Sequence, residues 1–196
     1  MLDARIKQIV AMPLDPIADG LARMGGGANA LTAVGFAMGL IAAALISDES
    51  FLMGIAFLAL NRLADVLDGM VARRVGTTPI GGFLDASLDL VVYAAIPFGF
   101  ALAHQQDALA ASFLLMGLMI SAVPGLVARA LIPDQTGHRV LTICGHSETF
   151  LAFVVMCLTP RWMFSLLAYF YGGLCFLSAI VSFASAIGRI RATGRP

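Results

Sequence analysis

The sequence predicts an all-α integral membrane protein, with six transmembrane helices preceded by a juxtamembrane amphipathic helix. Three observations carry that prediction. Sixty per cent of the 196 residues are hydrophobic and 12% are charged, with a mean hydropathy of +0.91, a balance typical of membrane proteins. Six apolar runs recur along the chain, each near the roughly 20 residues that a helix needs to cross a bilayer. The basic residues between them gather at alternate connectors.

Residues 1–29 form the juxtamembrane segment. Ile6, Ile9, Val10, Leu14 and Leu21 are interleaved there with Asp3, Arg5, Lys7, Asp15, Asp19 and Arg23, the pattern of a helix lying in the membrane surface, with a loose tail as the alternative. The segment holds no apolar core of signal-peptide length. Gly25, Gly26 and Gly27 break the chain before the membrane domain, 30–196, whose spans are expected at 30–46, 51–70, 83–103, 108–132, 139–158 and 162–187. Connectors 47–50 and 104–107 carry no Lys or Arg, and the one at Pro160 carries only Arg161. The other side collects Arg5, Lys7, Arg23, Arg73, Arg74, Arg129, Arg139, Arg189, Arg191 and Arg195. The positive-inside rule then places both termini and connector 75–82 in the cytoplasm. A formal net charge of zero with a single lysine, Lys7, excludes a P-loop and argues against a nucleic-acid partner. Cys144, Cys157 and Cys175 are odd in number and fall on separate segments, so they read as reduced packing residues.

Chemistry concentrates between Asn61 and Asp89. Asp65, Asp68, Asp85 and Asp89 sit in or beside apolar runs, where an ionised group is costly unless it faces a cavity, a partner or an ion. At about 100° per residue, the steps Asp65 to Asp68 and Asp85 to Asp89 each keep two carboxylates on one helix face. The Gly- and Pro-containing connector 75–82 turns the chain so that the two pairs converge. Converging carboxylates repel unless a cation joins them. An all-oxygen donor set selects Mg²⁺, Mn²⁺ or Ca²⁺ over zinc or copper, and two ions suit displacement at a phosphoryl group. Gly69 permits close approach of a ligand, Ala72 one turn on is also small, and Arg73 offers a guanidinium fork to phosphate.

Read as Asp65-x-x-Asp68-Gly69-x-x-Ala72-Arg73, seven residues, then Gly81-x-x-x-Asp85-x-x-x-Asp89, this stretch resembles the signature of the CDP-alcohol phosphatidyltransferase family. Asn29-x-x-Thr32, ahead of the first span, looks like that family's entry segment, and the six-helix plan matches. Residues 60–68 and 82–100 are most similar to bacterial inner-membrane members, a likeness that brings no acceptor with it. The resemblance implies a CDP-linked lipid donor, most simply CDP-diacylglycerol, whose phosphatidyl group passes to a small polar alcohol with release of CMP. It also implies a homodimer in the bacterial inner membrane. On that pattern Asp65, Asp68 and Asp85 carry two Mg²⁺ or Mn²⁺ ions with Asp89 near them, and Asp89 is the general base. Gly69, Ala72, Arg73 and Gly81 line the CDP pocket.

Further candidates concern the acceptor. Arg129 and Arg139, with His138, flank one connector and form either an anion pocket for a phosphorylated acceptor or a set of headgroup anchors. Glu148, the acid in the fifth run, binds the acceptor or pairs with an arginine. Asn61 continues the Asp65 face and serves either the site or an interhelical bond. His138, Cys144 and His146 match no standard zinc spacing. Two rival functions are a membrane prenyltransferase, which separates its acidic motifs more widely, and a cation or proton transporter, which has no need of the Gly-x-x-Ala-Arg element. The charge pattern generates a test of orientation: cysteines introduced at Thr77 and at Glu49 are expected to be labelled from opposite sides, Thr77 from the cytoplasm, and labelling of both from the periplasm overturns the topology.

Overall fold

The computed structural model describes residues 14–23, 27–131 and 144–193. The described elements are helices throughout: α1 (14–23), α2 (Ala28–Ser47), α3 (Phe51–Val75), α4 (Pro79–Ala103), a 3₁₀ turn at Gln105–Asp107, α5 (Ala108–Leu131), α6 (His146–Leu158) and α7 (Arg161–Thr193). By length and composition, four stretches can cross a membrane: Ala28–Ser47, Pro79–Ala103, Gln105–Val127 and Arg161–Gly188. The sequence led us to expect six. The 25 residues of α3 include Asn61, Arg62, Asp65 and Asp68, which reduce its apolar character. α6 has 13 described residues, and the span expected at 139–158 begins outside the described residues.

Local chemistry fixes the α3–α4 connection. Arg73 and Arg74 occupy the last turn of α3, where positive charge complements the exposed carbonyls. The helix closes at Gly76, whose φ of 113° few L side chains adopt. α4 then starts at Pro79, with the Thr78 hydroxyl accepting from the Gly81 N–H at 3.0 Å. A capping hydroxyl followed by a proline that has no N–H to satisfy is a strong start signal. The helix therefore begins ahead of the apolar run expected at 83, and Gly81 and Gly82 belong to its first turn instead of the connector.

α2 packs against both α3 and α4, α5 against α4 and α7, and α3 and α4 scarcely meet through their backbones. The main core joins Ile46, Leu58, Val92, Ile96, Phe100 and Phe164. A smaller cluster sets Leu14 and Ala18 of α1 on Met70 and Val71 of α3. There Arg74 pairs with Asp15 at 2.7 Å and with Asp19, and the hydrogen bonds it donates to these two carboxylates raise its pKa. Phe98, Leu109, Phe170 and Ile180 point outward, as contact with lipid tails allows.

Gly99 marks the closest approach of α4 to α2. A Cβ there would stand 2.6 Å from the Ala43 carbonyl oxygen, whereas one on Gly173 of α7 would meet nothing within 4 Å. Gly99→Ala is therefore expected to lower the melting temperature of the detergent-purified protein, at a cost of about 1–3 kcal/mol for overpacking. Gly173→Ala is expected to be neutral or mildly stabilising, since alanine favours a helix; equal melting of the two variants contradicts the packing.

Candidate active site

The site is built where α2, α3 and α4 diverge. Asp65 and Asp68 sit one turn apart on α3, and Asp85 and Asp89 one turn apart on α4. Asp65, Asp68 and Asp85 bring carboxylate oxygens within 4.8 Å of one another. Among the described residues this is the group placed to share an ion, and Cys144 and His146 belong to no such group. The donors are all carboxylate oxygens, suited to a hard divalent cation. Asp68 is buried, while Asp65 and Asp85 are half-buried.

α2 supplies the polar contacts that fix this arrangement. The Thr32 hydroxyl donates to Asp68 Oδ2 at 2.6 Å, giving the entry-segment threonine a direct role that its position 36 residues earlier did not disclose. Asn61 Nδ2 donates to the Gly35 carbonyl at 2.9 Å, the interhelical alternative of the two read from sequence. A small inner cavity is bordered by Thr32, Asn61, Asp65, Asp68, Asp85 and Asp89. Beside it lies a cleft of about 200 Å³ lined by Asp65, Asp68, Gly69, Arg73 and Asp85. Gly69 lies beside Arg73, where a Cβ would stand 3.4 Å from Arg73 Nη1 in ordinary van der Waals contact. Ala72 and Gly81 stand outside the lining of both spaces; Gly81 faces Asn29, whose Oδ1 would be 2.9 Å from a Cβ.

Asp89 borders the inner cavity but stands outside the three-carboxylate group. Arg62 Nη2 lies 3.3 Å from its Oδ1 and His146 Nε2 lies 3.4 Å from its Oδ2. Arg62 is a residue that the sequence reading passed over. Its Nη1 is 3.4 Å from Asp65 Oδ2 and its guanidinium carbon is 5.7 Å from the Tyr93 ring centroid. The available signal was an arginine in the middle of an apolar run, three residues before an aspartate. His146, at the start of α6, also meets Tyr93 edge-on at 5.4 Å.

The acceptor candidates are less assembled. Glu148 lies in the first turn of α6, with its Oε2 buried and lacking a hydrogen-bond partner among the described residues, near enough to Gly145 that a Cβ there would be 2.6 Å away. Arg139, His138 and the Arg129 side chain lie outside the described residues.

With this geometry in place, comparison with known proteins is informative. The model of the CDP-alcohol phosphatidyltransferase family matches residues 27–185. Inner membrane protein YnjF of Escherichia coli is 40% identical over 162 residues, covering 76% of this chain and 78% of its own length. An archaetidylinositol phosphate synthase of Pyrococcus horikoshii is 36% identical over 100 residues, covering 50% of this chain and 53% of its own. The crystal structure of Mycobacterium tuberculosis phosphatidylinositol phosphate synthase with CDP-DAG bound shares the fold, with a TM-score of 0.64, 21% identity and 90% of each chain covered.

Proposed function

The chain belongs to the CDP-alcohol phosphatidyltransferase family, membrane enzymes of phospholipid biosynthesis, and from that premise we propose that it moves the phosphatidyl group of CDP-diacylglycerol to a small phosphorylated alcohol, releasing CMP. The observation that carries this reading is the convergence of Asp65, Asp68 and Asp85 within 4.8 Å, beside a cleft that Arg73 shares. The donor reading is supported by the family and by the CDP-DAG bound in the M. tuberculosis enzyme's structure. A phosphorylated acceptor is favoured by the name of the P. horikoshii relative; glycerol 3-phosphate and inositol phosphate both fit. The reading includes six spans, with α3 and α6 crossing beside the four longer apolar helices, and an active site at the cytoplasmic edge.

In this mechanism Asp65, Asp68 and Asp85 hold one or two Mg²⁺ or Mn²⁺ ions. The bound metal supplies charge neutralisation and Lewis-acid polarisation at the pyrophosphate. Arg73 reaches the donor phosphates from the cleft wall with a planar fork matched to phosphate oxygens. Gly69 keeps that approach clear, and Ala72 and Gly81 shape the surrounding backbone. Asp89 takes the proton of the acceptor hydroxyl, for which it must come within about 2.6–3.2 Å or act through one water. The hydroxyl oxygen then bonds to the phosphorus that carries the diacylglycerol, and the bond to the CMP oxygen breaks. Prenyl transfer and ion transport, the alternatives raised by the acids alone, account for neither the family match nor the Arg73 cleft.

Two tests follow. Release of CMP from CDP-diacylglycerol is expected to require Mg²⁺ or Mn²⁺ and to be abolished by Asp68→Asn in a protein that still melts cooperatively. Full turnover in excess EDTA overturns the metal assignment. For the acceptor, Arg139→Gln is expected to raise the acceptor KM by roughly tenfold to a hundredfold, the equivalent of losing one charge-assisted hydrogen bond of about 1.5–3 kcal/mol, with donor KM nearly unchanged. An unchanged acceptor KM returns Arg129 and Arg139 to the role of headgroup anchors.

A further inference from the structure

α3 and α4 each present two aspartates to the cleft, yet their backbones scarcely meet because α2 packs against both. Arg62 spans the gap between them. Its Nη1 lies 3.4 Å from Asp65 Oδ2 on its own helix and 3.4 Å from the Tyr93 hydroxyl on α4. Nη2 lies 3.3 Å from Asp89 Oδ1, and Nε donates to Asn61 Oδ1 at 3.3 Å. Asn61 is itself tied to the Gly35 carbonyl of α2. Each nitrogen of the guanidinium thus faces a protein acceptor, and the rigid fork is committed within the protein, unlike the exposed Arg73.

This placement bears on how two similar carboxylates on α4 come to do different work. Asp85 and Asp89 are one turn apart, and both border the same inner cavity. A cation held by Asp65, Asp68 and Asp85 attracts any further carboxylate in reach, and strongly so where the dielectric is low. A positive group fixed between Asp65 and Asp89, 3.4 Å from one and 3.3 Å from the other, opposes that collapse. His146 meets the other oxygen of the same carboxylate, so Asp89 is engaged from two elements, α3 and α6.

We propose that Arg62 is a positioning residue, bridging Asp65 and Asp89 so that Asp89 stays beside the three-carboxylate group without joining it and faces the acceptor hydroxyl. The inference rests on the reading of Asp89 as the base. It assigns to Arg62 a task that neither the signature spacing nor loop charge expresses.

The test uses the full-length protein in lipid nanodiscs and Mn²⁺ alone, with binding followed by electron paramagnetic resonance. Arg62→Gln is expected to bind Mn²⁺ about tenfold more tightly, because Asp89 can then close on the ion. In Arg62→Gln/Asp89→Asn that gain is expected to vanish relative to Asp89→Asn, as a double-mutant cycle for coupled residues requires. A gain that persists in the double variant means that Arg62 acts only as a nearby charge, and the proposal fails; so does an Arg62→Gln affinity equal to that of the unaltered protein. Arg62→Lys keeps the charge and most of the volume but cannot fork between two helices, and it guards against a variant that does not fold. It is expected to retain the original Mn²⁺ affinity while kcat for CMP release falls at least about tenfold with donor KM unchanged, and an unaltered kcat overturns the bridge. If the unaltered protein releases no CMP from CDP-diacylglycerol, the functional reading fails, whereas the Mn²⁺ cycle still decides what Arg62 does to Asp89.

Discussion

Negative charge in an apolar interior has to be compensated, and the arrangement of α2, α3 and α4 answers that demand. Four aspartates border one small cavity, where solvent offers less than it does at a protein surface and Coulomb repulsion is correspondingly larger. The compensation comes from three directions. Thr32 donates to Asp68 from α2, Arg62 reaches Asp65 and Asp89 from within α3, and the oxygens of Asp65, Asp68 and Asp85 are grouped closely enough to share a cation. None of these contacts forms within a single helix turn of α4, so the site exists only when the helices are assembled.

That dependence explains the role of α2, which carries no acid of its own. It packs against both α3 and α4, and the inner cavity and the neighbouring cleft lie at their acidic faces. Its backbone is also tied to α3, since the Gly35 carbonyl accepts from Asn61. The tight contact of Gly99 with Ala43 sets the α2–α4 distance near the other end. A shift there would move Asp85 and Asp89 relative to the α3 pair, because a helix transmits displacement along its length more readily than it bends. Packing far from the acids therefore has a part in their geometry.

Much of this was legible in the sequence, and the exceptions have physical causes. The spacings of Asp65 with Asp68 and of Asp85 with Asp89 fix helix faces, and the turn at Gly76–Pro79 brings the faces together, so the acidic convergence followed from local rules alone. Thr32 was noticed as part of an entry segment, but its bond to Asp68 crosses 36 residues, and no local periodicity encodes such a distance. Arg62 escapes a reading that weighs arginines as loop-orientation markers or as phosphate ligands; one in the middle of an apolar run has to be read instead as the counter-charge of something buried. The early start of α4 had a clear signal in Thr78 and Pro79, which the apolar run beginning at Phe83 obscured.

Three arginines within α3 show why residue type alone does not assign a role. Arg74 is exposed and bound to Asp15 and Asp19, so it fastens α1 to the end of α3, in a setting where solvent and salt weaken each pair. Arg62 is largely enclosed and spends its donors on Asp65, Asp89, Asn61 and Tyr93. Arg73 borders the cleft next to Gly69 and has no ion pair among the described residues. A guanidinium that is charged, exposed and uncommitted beside three converging carboxylates has the chemistry to meet an anion already drawn there by a cation. The acids and Arg73 thus suit the same ligand from opposite signs of charge, which is the demand that a pyrophosphate bridge with its metal makes of a binding site.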